Sequence, residues 1–100
     1  LHANKGETSA VMAINPAFVD LDAANAEMPP FPEVGNAPAV HTAFFFSAPG
    51  SVYRATHSGT WGDARDSNAE FGERYLAAVS RGTIRVLDDI ERTFAAMPAR

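Results

Sequence analysis

Ser67-Asn68-Ala69-Glu70-Phe71-Gly72-Glu73-Arg74-Tyr75 opens the longest regular element in this 100-residue sequence. Ser67 and Glu70 have the spacing of a capping box, in which hydroxyl and carboxylate each satisfy an orphan backbone donor. Behind them Phe71, Tyr75, Val79, Val86, Ile90 and Phe94 recur at helical spacing, with Leu76 and Leu87 alongside. Arg74, Arg81, Arg85, Asp88, Glu91 and Arg92 fill the other face. The pattern predicts one amphipathic helix over 67–97. Gly82 costs about 1 kcal/mol relative to Ala inside a helix, so it marks either a close helix contact or a slight break.

Working back from that helix, Val40 to Phe46 is the best strand candidate, ended by Pro49-Gly50, with a weaker one from Val52 to Thr56. Phe44, Phe45 and Phe46 cannot all face one side of a strand. They fit a strand covered on both faces, with an aromatic wall beside a substrate pocket as the alternative. From 24 to 38 the prolines Pro29, Pro30, Pro32 and Pro38, with Gly35, predict a long loop. Upstream, Thr8 to Ile14 reads as a short helix that Asn15-Pro16 stops, since Pro16 disfavours a helical residue before it. Thr8 or Ser9 can cap it, and Glu7 stands at its start, where the helix dipole favours a carboxylate. Asn15 can cap a further turn with Pro16 at its first position, turning Phe18, Val19 and Leu21 toward a core.

One or two strands and two helices do not complete a domain, because strand edges and the apolar face of so long a helix need covering. The start at Leu1 rather than Met points the same way, to an engineered start or a cleavage event. The chain is therefore expected to be one part of a larger domain. Leu1 cannot serve as an amino-terminal nucleophile, and nothing near it has the layout of a signal peptide.

Composition narrows the function classes. With 46% hydrophobic and 20% charged residues, the chain is ordinary for a globular protein. The net charge of −4 is unevenly placed: residues 1–50 hold Lys5 against Glu7, Asp20, Asp22, Glu27 and Glu33. No basic cluster stands free of acids, so no nucleic-acid partner is expected. Neither is a membrane partner, since no apolar run is long enough to span a bilayer. Absence of cysteine removes disulfides and Cys-based zinc sites. It leaves the redox compartment open, and a cytoplasmic location is the working expectation.

The chemistry-bearing stretch is His2-Ala3-Asn4-Lys5-Gly6-Glu7-Thr8-Ser9. A His and a Glu five residues apart lead into a helix start; taken alone, they fit ordinary helix capping better than catalysis. Together with Pro16, Val19, Asp20 and Leu21, however, the stretch resembles the signature of the creatininase family. A second block agrees: Ser58-Gly59-Thr60-Trp61-Gly62-Asp63, then Glu70 and Gly72-Glu73-Arg74, resembles the family's closing stretch. Residues 22–57 carry little of the likeness. Asn4 departs from the family's usual Gly; Asn tolerates a left-handed backbone better than most residues, so the loop shape can survive.

The resemblance implies a three-layer α/β/α fold with a mainly parallel sheet, of which this chain is the C-terminal part. It also implies a two-metal amidohydrolase, with zinc or manganese, acting on a small amide, cyclic amides included. His2 would lie over the substrate as proton donor or acceptor and Glu7 would support it, so both are candidate catalytic residues and His2 also binds substrate. In such a mechanism a metal-activated hydroxide attacks the amide carbon and the leaving nitrogen gains a proton. The pKa range of His suits that transfer. The family's main metal ligands lie N-terminal to the matched motif, leaving Glu7 as this chain's one candidate metal contact. His41 and His57 read as loop or surface histidines.

The implied partners are an N-terminal portion of the same protein, as a separate chain or a preceding segment, and further copies in a closed homo-oligomer. Trimming of a peptide precursor, as in mycofactocin maturation, is a second reading within the family. A non-catalytic subunit that keeps the fold is the third. Ser58-Gly59 and Gly62-Asp63 fit neither a nucleophile elbow nor a P-loop. They read as a turn in which Asp63 bonds backbone amides, with Trp61 packed beneath the long helix.

Overall fold

The structure, a computed structural model, describes residues 2–30 and 49–99. Their element order is α1 (Lys5–Ile14), two 3₁₀ turns (Pro16–Phe18 and Leu21–Ala23), β1 (Ala26–Glu27), α2 (Ser51–Ala55), β2 (Gly62–Asp63) and α3 (Ala69–Ala96). Helix dominates. The strands have two residues each and pair antiparallel, Ala26 with Asp63 and Glu27 with Gly62. The Val40–Phe46 strand and its phenylalanines, with His41, lie outside the described residues.

Local chemistry explains each helix boundary. α1 is capped not by Thr8 or Ser9 but by Asn4, whose side-chain oxygen accepts the N–H groups of Gly6 (2.8 Å) and Glu7 (3.3 Å). That frees Ser9 for a buried role. α1 ends at Asn15, held extended before Pro16 (φ −156°, ψ 104°). Asn15 then caps the next turn through the Ala17 N–H, with Pro16 leading, as the sequence predicts. Phe18 and Leu21 do not face a core, however: they are 74% and 39% exposed.

The cap of α3 also moves by one residue. Asn68, extended at φ −155°, accepts the Phe71 N–H at 2.8 Å. Ser67 instead buries its hydroxyl and donates to the Ala64 carbonyl at 2.7 Å. Glu70 pairs with Arg74 one turn on, at 2.6 Å. α3 ends at Met97, extended as Pro98 requires. The segment Val52–Thr56 is not a strand. Val52–Ala55 lie in α2, entered from a left-handed Gly50 (φ 69°) and closed by the Thr56 N–H and hydroxyl, both donating to the Val52 carbonyl. Its Val and Tyr suit a strand, but a run this short cannot separate the two periodicities.

The core lies where α1 crosses the start of α3. A Cβ on Gly72 would collide with the Ser9 carbonyl, so only glycine lets the two backbones approach this closely. Gly82, by contrast, has nothing within 4 Å of such a Cβ, and α3 runs through it unbroken. The close contact belongs to Gly72. Beyond it the apolar stripe stays open among the described residues: Tyr75 is 39% exposed, Val79 49%, Val86 58% and Ile90 46%.

Candidate active site

Two sequence-distant stretches meet at His2. Its backbone N–H donates to the Trp61 carbonyl (3.0 Å), and the Trp61 N–H donates back to His2 (2.7 Å), an isolated antiparallel bridge. Trp61 is 1% exposed and anchors the bridge, while His2 is exposed. The next residue, Gly62, pairs with Glu27 on the far side. Residues 61–63 thus form a short central strand between His2 and β1.

Ala3 carries the tight turn after His2. Its φ of 49° is left-handed, a conformation costly for a residue with a Cβ. The expectation that Asn4 takes this shape is corrected: Asn4 is extended (φ −84°) and serves as the cap. Three contacts hold the turn. The Glu7 carboxylate accepts the Ala3 N–H, the Thr8 hydroxyl donates to the Ala3 carbonyl at 3.4 Å, and the Thr8 N–H donates to Asn4 at 2.9 Å. Glu7 stands at the third helical position and reaches back past the cap, a capping-box action displaced by one residue. The structure therefore joins Glu7 to the backbone beside His2.

Ser9 completes the assembly. It is fully buried, and its hydroxyl accepts the Asn68 N–H at 3.1 Å, tying α1 to the cap of α3. Gly6 lies against Tyr75, where an added Cβ would meet the ring at 3.1 Å. Lys5 stands over the Phe71 ring at 5.0 Å from its centroid. The Glu-Thr-Ser run and the Gly-Glu-Arg run are thus two sides of one contact.

The 56–65 segment is held by carboxylates. Asp63 accepts from the Arg65 backbone N–H (3.0 Å) and pairs with its guanidinium (2.7 Å). Those bonds pull its pKa from 3.8 down to about 2. Glu27 accepts the His57 N–H (2.7 Å), the Ser58 N–H (3.1 Å) and the Ser58 hydroxyl (2.6 Å). The Ser58 hydroxyl, then the His57 N–H, hold its carboxyl below the ordinary value. Sequence reasoning missed Glu27, because nothing marks an acid in a Pro-rich stretch as the partner of residues thirty positions on. His57 is exposed, in keeping with a surface reading.

Among the described residues no group of three or more His, Cys, Asp or Glu side chains could hold a metal ion. These residues do not fit a two-metal centre by themselves. No helix among them is long and apolar enough to cross a membrane.

The sequence profile of a family named Creatininase, described as creatinine amidohydrolase, matches residues 1–87. No curated protein and no solved structure matches the chain. The matched family is one of metal-dependent amidohydrolases.

Proposed function

Because the chain belongs to the creatininase family, we propose that it works in hydrolysis of the C–N bond of a small amide, with His2 as the proton-transferring group. The observation that carries this reading is the His2–Trp61 bridge. It brings the His-Ala block against the Ser-Gly-Thr-Trp block and leaves the imidazole of an anchored residue open to a substrate. When water adds to the amide carbon and the C–N bond breaks, the leaving nitrogen must gain a proton. His2 would supply it. Glu7 would hold the turn that aims His2, through the Ala3 N–H. We place the metal ions, zinc or manganese, outside the described residues, in a preceding N-terminal portion of the same domain.

That portion would also complete a three-layer α/β/α fold and cover the stripe of Tyr75, Val79 and Val86, whose exposure supports the need for a companion. Further copies in a homo-oligomer are part of the same proposal, as is a cytoplasmic location. The test is amide hydrolysis by the full-length protein, scanned over small cyclic and linear amides, with and without His2→Ala. A substrate turned over equally by both proteins rules out the role of His2.

A further inference from the structure

We infer that Glu27 is a positioning residue for His2: its carboxylate fixes the 57–60 turn and, through Trp61, the backbone that His2 pairs with. The argument starts from the number of donors that converge on one side chain. Glu27 Oε1 takes the His57 N–H, and Oε2 takes both the N–H and the hydroxyl of Ser58. The Ser58 hydroxyl in turn accepts the Thr60 N–H at 3.2 Å. Thr60 N–H, Ser58 O–H and the Glu27 carboxylate therefore form one chain of bonds pointing the same way, and such chains strengthen their members. The bonds to a charged acceptor are the stronger kind.

The far end of this chain is one residue from Trp61, whose N–H and carbonyl both bond to His2. Glu27 also belongs to β1, directly opposite Gly62. One residue thus controls the central strand twice, through its backbone at Gly62 and through its side chain at the turn that delivers Trp61. A second brace fixes the turn from the α2 side, where the Thr56 hydroxyl accepts the Gly59 N–H at 3.1 Å. On the His2 edge the main-chain pairing consists of the two bonds to Trp61. The position of His2 therefore depends on where the turn holds Trp61.

The inference deepens the proposed function, resting on that reading only in treating His2 as the proton-transferring group, so its test is read without catalysis. Backbone amide exchange and His2 ring signals are measured by NMR in the protein and in two variants. Glu27→Gln keeps the oxygen for His57 and turns an NH₂ group on the Ser58 donors. Ser58→Ala breaks the chain between Thr60 and Glu27 alone. In Glu27→Gln the Thr60, Trp61 and His2 amides are expected to exchange about tenfold faster, the worth of one charge-assisted bond. Gly72 and Tyr75 in α3 should keep their rates, and the His2 ring signals should shift. Faster exchange confined to His57 and Ser58, with His2 and Trp61 unchanged, overturns the inference. Should Glu27→Gln lose protection everywhere, Ser58→Ala decides: faster exchange at Trp61 and His2 supports the inference, and unchanged rates there overturn it. A failed His2→Ala assay would leave these rates untouched, so the two readings fail separately.

Discussion

The carbonyl of Ser9 occupies the space that a side chain on Gly72 would need, so the α1–α3 crossing is built on an absent Cβ. Ser9 adds a second tie at the same point, its buried hydroxyl accepting the Asn68 N–H. Backbone rather than apolar side chains sets this contact. It is therefore intolerant: a flexible side chain can turn aside, but a helix carbonyl moves only with its helix.

Gly72→Ala and Gly82→Ala should accordingly have opposite signs. At Gly72 the added methyl forces α1 away, and overpacking of this kind costs about 3 kcal/mol. At Gly82 nothing lies within 4 Å, and replacing a helical glycine by alanine stabilises by about 1 kcal/mol. Urea denaturation of both variants checks this. A destabilising Gly82→Ala would contradict the open space around that position.

The acid limb of stability should follow Asp63 and Glu27. Both carboxyls have folded pKa values below their ordinary ones, Asp63 falling from 3.8 to about 2 through Arg65. A depressed carboxyl contributes stability that is complete above its unfolded pKa and is lost as pH falls through its folded one. Stability should thus decline between about pH 5 and about pH 2. Asp63→Asn should flatten the part of that decline that reaches down to about pH 2, and Glu27→Gln should make the decline shallower as well. Chemical denaturation across the range measures it, and an unchanged slope in both variants would contradict the assignment.

How far this was legible in the sequence depends on the range of the interaction. The long helix is readable because the apolar residues from Phe71 to Phe94 recur at spacings of four and seven, a signal that needs no tertiary contact. Its cap falls one residue later than the sequence spacing suggests, because Ser67 and Asn68 are equally good capping types and the Ala64 carbonyl draws the serine away. Val52–Thr56 suits a strand by residue type, and five residues cannot show the period that would reveal α2. The His-Ala and Glu-Thr-Ser runs stood out through family resemblance, but their physical purpose did not. Only the fold reveals that Ser9 meets Asn68 and Gly72, or that Ala3 rather than Asn4 is left-handed. Glu27 was out of reach for the same reason: its partners are His57 and Ser58, with no pattern linking them in sequence.

Metal retention should separate this chain from the assembled protein. The described residues hold no cluster of ligand side chains, and a metal site binds through several converging donors. Residues 1–100 purified alone should carry zinc or manganese well below one equivalent, and the assembled protein should retain it through dialysis. Elemental analysis of both preparations decides. Stoichiometric metal on the isolated chain would show that ligands lie within it.

The sharpest test is the division of labour between His2 and Glu7. If His2 moves a proton in the rate-limiting step, His2→Ala in the assembled enzyme should lower kcat by about 10²–10⁴-fold. Metal content should stay unchanged, since the proposed ligands lie elsewhere. The fold should survive as well, because His2 pairs with Trp61 through its backbone, which alanine keeps. Glu7 acts differently. Its carboxylate accepts the Ala3 N–H and so restrains a left-handed residue next to His2. Glu7→Gln retains an acceptor of the same reach and loses the charge, so it should reduce kcat less than His2→Ala does. Its stability cost should be about 1 kcal/mol, the scale of a helix N-terminal contact. A Glu7 that only caps its helix predicts that same stability loss with kcat intact. Measuring kcat, metal content and melting temperature on both variants separates the cases, and near-normal turnover in His2→Ala would end the catalytic assignment whatever Glu7 does.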